Sequence, residues 1–181
     1  MAMFGEADYQ VTWYPFFLNP RASKTPVDKK EYYEKKFGKE RVEPMFRRLK
    51  MVGEAEGITF ADGGTTGHTL QSHRLIHFAQ GKGKGDEMIE RVFKGFFEET
   101  KCLQSNDELS ALASDIGLDQ EETKTFLESN EGVEEVLQQA EQMRSKYGVT
   151  GVPFFVVNDR FSFSGAQDPQ YMVSVFQKVL S

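Results

Sequence analysis

Near residue 148 the sequence changes its period, and that change limits the fold more than any other feature. From Asp28 to Tyr147 apolar residues recur at helical spacing. Phe154-Phe155-Val156-Val157 is then a short, wholly apolar run, Asn158-Asp159 is a hairpin turn signal, and Arg160 to Ser164 alternates as a second strand. A final helix is predicted from about Asp168 to Leu180, with Pro169 at a first-turn position that needs no N–H. Tyr9 to Leu18, rich in aromatic and β-branched residues, predicts a strand interrupted at Pro15. The order is strand, a long all-helical middle, β-hairpin, helix, and the class is α/β.

The middle divides at its glycines and caps. Asp28 to Phe37 and Lys39 to about Gly53 predict two helices, with Asp28 as N-cap, Gly38 as the break and Pro44 tolerated near the start of the second. Gly63-Gly64-Thr65-Thr66-Gly67 predicts a loop that serves as a hinge; without a Gly-Lys-Ser/Thr ending it is not a phosphate loop. A helix follows from His68 or Thr69 through His77, ended by Gly81 to Gly85. Asp86 to Thr100 is amphipathic through Met88, Ile89, Val92, Phe93, Phe96 and Phe97. Three further helices are predicted: Ser105 to Ile116 with Gly117 as its stop, Asp119 to Leu127, and Gly132 to Tyr147. No linker divides the 181 residues, so a single domain is expected.

Composition removes several function classes. A net charge of -6 argues against nucleic acid as a partner, because phosphate binding needs clustered Lys and Arg; the one basic cluster, Arg47-Arg48-Leu49-Lys50, suits a solvated helix face. No apolar run approaches the length of a membrane span, and Met1 to Asp8 resembles no signal peptide, so no membrane partner and a cytoplasmic location are expected. A lone cysteine, Cys102, excludes an internal disulfide and suits a reducing compartment. It follows Glu98-Glu99, the opposite of the electropositive setting a reactive thiolate needs. His73 and His77 share a helical face at metal-ligand spacing, but no third ligand is evident, so no metal is expected.

Gly148-Val149-Thr150-Gly151-Val152-Pro153-Phe154-Phe155 closely resembles the cis-proline loop of DsbA-like proteins of the thioredoxin superfamily. Three more segments are similar to the FrnE-like branch of that family, in family order. Trp13-Tyr14-Pro15-Phe16-Phe17-Leu18-Asn19-Pro20 resembles its second strand and following turn, and Ser72-His73-Arg74-Leu75-Ile76-His77 the start of its helical insertion. Phe163-Ser164-Gly165-Ala166-Gln167-Asp168-Pro169 resembles its last strand and helix start. The resemblance implies a thioredoxin-like fold, with 9–27 and 148–181 as the thioredoxin part and 28–147 as a mostly helical insertion. It also implies that the groove receives an extended thiol- or disulfide-bearing peptide by strand addition, with Gly151, Val152 and Pro153 as contacts and His73 either near the groove or in helix packing.

The sequence departs from the family before Tyr9. The first strand and the active-site helix carrying Cys-Pro-Trp-Cys have no counterpart, and Met1 to Asp8 contains no cysteine. Three accounts stay open: the chain is a piece of a longer protein, which is the expectation; a partner or a swapped copy fills the sheet position, giving a homo-oligomer; or the flanking strands close on one another. The implied activity is thiol–disulfide oxidoreductase or isomerase, in which this segment supplies the substrate groove and no catalytic residue. These 181 residues alone are expected to be redox-inactive, since exchange needs a thiolate and a resolving thiol.

Two other classes remain. Ser164-Gly165-Ala166-Gln167 links a strand to a helix N-terminus, where free N–H groups favour an anion. The segment resembles the loop that takes the γ-glutamyl carboxylate in kappa-class glutathione transferases and chromene-carboxylate isomerases, which implies glutathione at Val152 and Gly165 to Gln167. The plain alternative is that Ser164 caps the last helix. The third class is a non-catalytic module that binds peptides in the same groove.

Overall fold

The computed structural model describes residues 9–180, so the Met1 to Asp8 stretch lies outside the described residues. The chain divides into two compact units. One is Asn19–Val136, and the other joins residues up to Leu18 with Leu137 onward.

The first unit is helical. Helices α1 (Lys29–Phe37) and α2 (Lys39–Ala55) form a hairpin broken at Gly38, whose φ of +88° suits glycine. Asp28 caps α1 by accepting the Glu31 N–H at 2.8 Å. Helices α3 (Leu70–Gly81), α4 (Gly85–Phe97), α5 (Asn106–Asp115) and α6 (Gln120–Glu128) pack on one another around Leu75, Ala79, Met88, Val92, Leu109, Leu112 and Leu127, all 3% exposed or less. The starts of α5 and α6 follow from capping chemistry: Ser105 and Asp119 accept the Glu108 and Glu122 N–H groups.

Two two-residue strands, β1 (Val27–Asp28) and β2 (Thr65–Thr66), pair antiparallel in this unit, and the sequence pattern does not predict them. They undo the expected hinge at Gly63-Gly64. The Gly64 carbonyl accepts the Lys29 N–H at 3.0 Å, and a Cβ on Gly64 would lie 3.1 Å from Thr100, so the loop is pinned.

The second unit holds β3 (Phe154–Val157), β4 (Phe161–Ser164) and α8 (Pro169–Leu180), and receives the end of α7 (Val133–Tyr147). Phe155 lies opposite Phe163 in the antiparallel ladder; their rings stack at 4.9 Å, and Tyr171 of α8 meets Phe163 edge-on at 5.3 Å. Three residues, Asn158 to Arg160, join the strands; Asn158 and Asp159 have positive φ, 48° and 55°, and the Arg160 N–H closes the turn on the Val157 carbonyl at 3.1 Å.

The strand expected over Tyr9 to Leu18 is not formed; these residues run without a ladder. A strand needs a neighbour to satisfy its backbone, and Pro15 offers no N–H. Side chains hold the segment: Pro15 is buried, and the Tyr9 ring meets Phe176 of α8 edge-on at 5.6 Å.

Candidate functional site

The loop between α7 and β3 runs from Gly148 to Pro153. Gly148 has a φ of +65°, which ends α7, and the buried Val149 anchors the loop. The Val152–Pro153 peptide bond is cis. Val152 is 50% exposed and makes no main-chain hydrogen bond to another described residue, although it lies directly ahead of a strand. A Cβ on Gly151 would meet nothing within 4 Å, so the surface beside Val152 is open. Among the described residues β3 is laddered on one side only, to β4.

The structure brings the two predicted segments together at one point. The Gly165 N–H donates to the Pro153 carbonyl at 2.8 Å, which continues the β3–β4 register beyond the Phe154↔Ser164 pair. Gly165 has a φ of +83° and turns the chain out of β4. The Gln167 side chain folds back, its Nε2 donating to the Ser164 carbonyl at 2.8 Å. Ser164, Ala166 and Gln167 are exposed.

One expectation for this loop needs correction. Ser164 does not cap α8: the helix starts at Pro169, and the Asp168 carboxylate accepts the Gln170 N–H at 2.8 Å. The Gly165 N–H is already engaged, Pro169 has no N–H, and the helix end already carries a carboxylate.

The remaining predicted residues lie in the helical unit. His73 is half-buried on α3, and its N–H donates to the Thr69 carbonyl. Among the described residues no group of three or more His, Cys, Asp or Glu side chains could hold a metal ion. Cys102 is half-buried, with its Sγ 3.5 Å from Gln104 Oε1 and its N–H donating to Glu108. No helix among the described residues is long and apolar enough to cross a membrane.

Residue-by-residue reading misses Arg74, which is 2% exposed. Its guanidinium donates to the carbonyls of Phe126, Leu127, Ser129 and Glu131 and to Gln71 Oε1, and lies 5.0 Å from the Phe126 ring centre. It therefore closes the C-terminal end of α6, where carbonyls have no helical partner. Burial pulls its pKa below the ordinary arginine value, with Glu131 acting in the opposite sense.

A cis-proline loop entering a β-hairpin, a closing helix, and a helical unit intervening in sequence together define a thioredoxin-like fold with a helical insertion. A family model described as the DSBA-like thioredoxin domain matches residues 3–177, and the chain belongs to that family. It is 26% identical to a solved protein described as a probable DsbA oxidoreductase from Streptomyces coelicolor, with a TM-score of 0.81 over 90% of this chain and 72% of the other. It is 28% identical over 162 residues to the uncharacterized Bacillus subtilis protein YwbO, covering 87% of this chain and 78% of that protein. A Nitrosomonas europaea structure, 13% identical, matches with a TM-score of 0.61 over 86% of this chain and 76% of its own, a likeness of fold alone. The family is that of DsbA-like thiol–disulfide oxidoreductases.

Proposed function

We propose that this chain, a member of the FrnE-like branch, supplies the substrate groove of a thiol–disulfide oxidoreductase. An extended thiol- or disulfide-bearing peptide pairs with the main chain of Val152 and continues along the loop of Gly151 and Pro153. The observation that carries this reading is that the half-exposed Val152, ahead of β3, makes no main-chain hydrogen bond to another described residue. A backbone donor and acceptor left open beside a strand are what strand addition uses for affinity.

Dithiol exchange needs two thiols, and the sequence has one, Cys102, which lies in the other unit and outside this loop. The 181-residue chain therefore binds but does not itself turn over disulfides. Among the described residues β3 is laddered on one side only, which also supports pairing of its other edge with a second copy as a route to a homo-oligomer.

The test is binding of a cysteine-containing peptide, followed by fluorescence anisotropy, to the wild-type chain and to Val152→Pro, which removes the N–H. Binding lost in the variant supports the reading; equal binding overturns it. An insulin-reduction assay on the wild-type chain should stay at the buffer rate, and a protein-dependent rate would refute redox inactivity. Glutathione is the competing ligand, and Trp13 fluorescence follows it. The carboxylate already on the α8 N-terminus and the engaged Gly165 N–H weigh against tight binding.

A further inference from the structure

The end of α7 and the turn of the β3–β4 hairpin are tied together by side chains. The Asp159 carboxylate accepts a hydrogen bond from the Tyr147 hydroxyl and, at 3.2 Å, one from the Lys146 ammonium. Lys146 and Tyr147 are the last two residues of α7, and the Lys146 ammonium also lies 4.8 Å from the centre of the Tyr147 ring. Asp159 presents its carboxylate from a backbone of φ +55°, beside the closure of the Arg160 N–H on the Val157 carbonyl. All of these residues belong to one compact unit.

Between the two tied segments the chain runs through the loop of Gly148 to Pro153. At its entrance the Gly148 N–H donates to the Arg144 carbonyl at 2.9 Å, and at its exit the Pro153 carbonyl accepts from Gly165. Val149 is buried. Thr150, Gly151 and Val152 make no hydrogen bond to another described residue, so the segments on either side decide where they lie. The exit is fixed by the β3–β4 ladder. The entrance is the last turn of a helix, where fraying begins, and fraying there would lengthen the free segment. The Asp159 bonds close on that turn. An exposed pair of this kind adds little to global stability, but the cost of ordering a few residues is what separates a preformed site from one that must be ordered on binding.

We propose that Asp159 is a positioning residue for the groove: by holding the last two residues of α7 against the hairpin turn it fixes the entrance of the loop, so that Gly151 and Val152 are already placed when an extended peptide arrives. The proposal rests on the groove reading above and adds to it the residues that shape the groove without touching the peptide. Affinity then depends on Lys146, Tyr147 and Asp159 through the loss of loop order, with no contact to the peptide removed.

Two sets of substitutions test this on the full chain. Asp159→Gly deletes the acceptor and keeps a residue at ease with positive φ. Tyr147→Phe with Lys146→Met deletes both donors and keeps the ring and the stem. Each set should weaken a cysteine-containing peptide about threefold or more in fluorescence anisotropy, and combining them should weaken it no further than one set alone, because both remove the same contact. In nitrogen-15 relaxation the Gly151 and Val152 amides should become more mobile in the Tyr147→Phe/Lys146→Met variant, while hydrogen exchange of the β3–β4 ladder stays as slow as in the wild type; a general loss of structure would speed both. Loop amides no more mobile than in the wild type overturn the proposal, and so does a peptide affinity unchanged by the substitutions. A wild type that binds no peptide removes the groove reading instead, and the relaxation comparison alone then decides whether Asp159 orders the loop.

Discussion

Replacing Arg74 by methionine keeps a linear apolar stem and removes the six hydrogen bonds that the guanidinium donates to described residues. Not all of its acceptors are orphaned. The Phe126 carbonyl keeps the Ser129 N–H and hydroxyl, and the Leu127 carbonyl keeps Gln71 Nε2. Ser129 and Glu131 lose their only donors among the described residues, but Glu131 is exposed and water can reach it. The half-buried Ser129 carbonyl left unmet costs about 1–3 kcal/mol, and the bonds lost elsewhere with the contact on Phe126 bring the total to about 3–4 kcal/mol. For a chain of this size that is a fall of roughly 6–14 °C in midpoint. Thermal unfolding followed at 222 nm measures it, and faster amide exchange near Ser129 should accompany it. A midpoint within a degree of wild type would refute the view that Arg74 pins α6.

Other outcomes follow from the same geometry. Leu109→Ala, at a fully buried position, should cost about 2–5 kcal/mol in urea unfolding. Asn158→Ala should cost about 1–2 kcal/mol, because alanine resists the left-handed backbone of the turn. The Asp159 carboxylate accepts hydrogen bonds from the Tyr147 hydroxyl and from Lys146, 3.2 Å away, and these hold its pKa below the ordinary value of 3.8. A depressed carboxylate contributes stability above its unfolded pKa and loses it as pH falls through the folded one. The stability gap between wild type and Asp159→Asn should therefore be full at neutral pH and close below pH 3.8, and a gap that persists in acid would contradict the assignment. Lys146 is raised by the same partners, so its share should fade only as pH rises beyond 10.5.

The helices were legible because their signals are local: Asp28, Ser105 and Asp119 sit at caps, and Gly38 and Gly117 at the breaks. The hairpin was legible because Asn158-Asp159 is turn chemistry between apolar runs. What depends on a distant partner was not. β1 and β2 are two residues each and exist only through each other, and Tyr9 to Leu18 has strand composition without a ladder. Arg74 looks like any helical arginine until α6 and the loop after it close over it. The Asp168 cap was written in the sequence as an Asp-Pro dipeptide at a helix start, a stronger signal than the serine four residues earlier. Gly151, Val152 and Pro153 could be singled out in sequence, but their open backbone became visible only in the fold.

Amide chemical-shift mapping of the isotope-labelled chain during titration with a cysteine-containing peptide bears most directly on the groove. The largest changes should fall on the N–H of Val152 and its neighbours Gly151 and Phe154, with slowed exchange at Val152 as its donor becomes engaged. A saturated complex in which the Val152 amide neither shifts nor slows would remove the substrate groove from this loop.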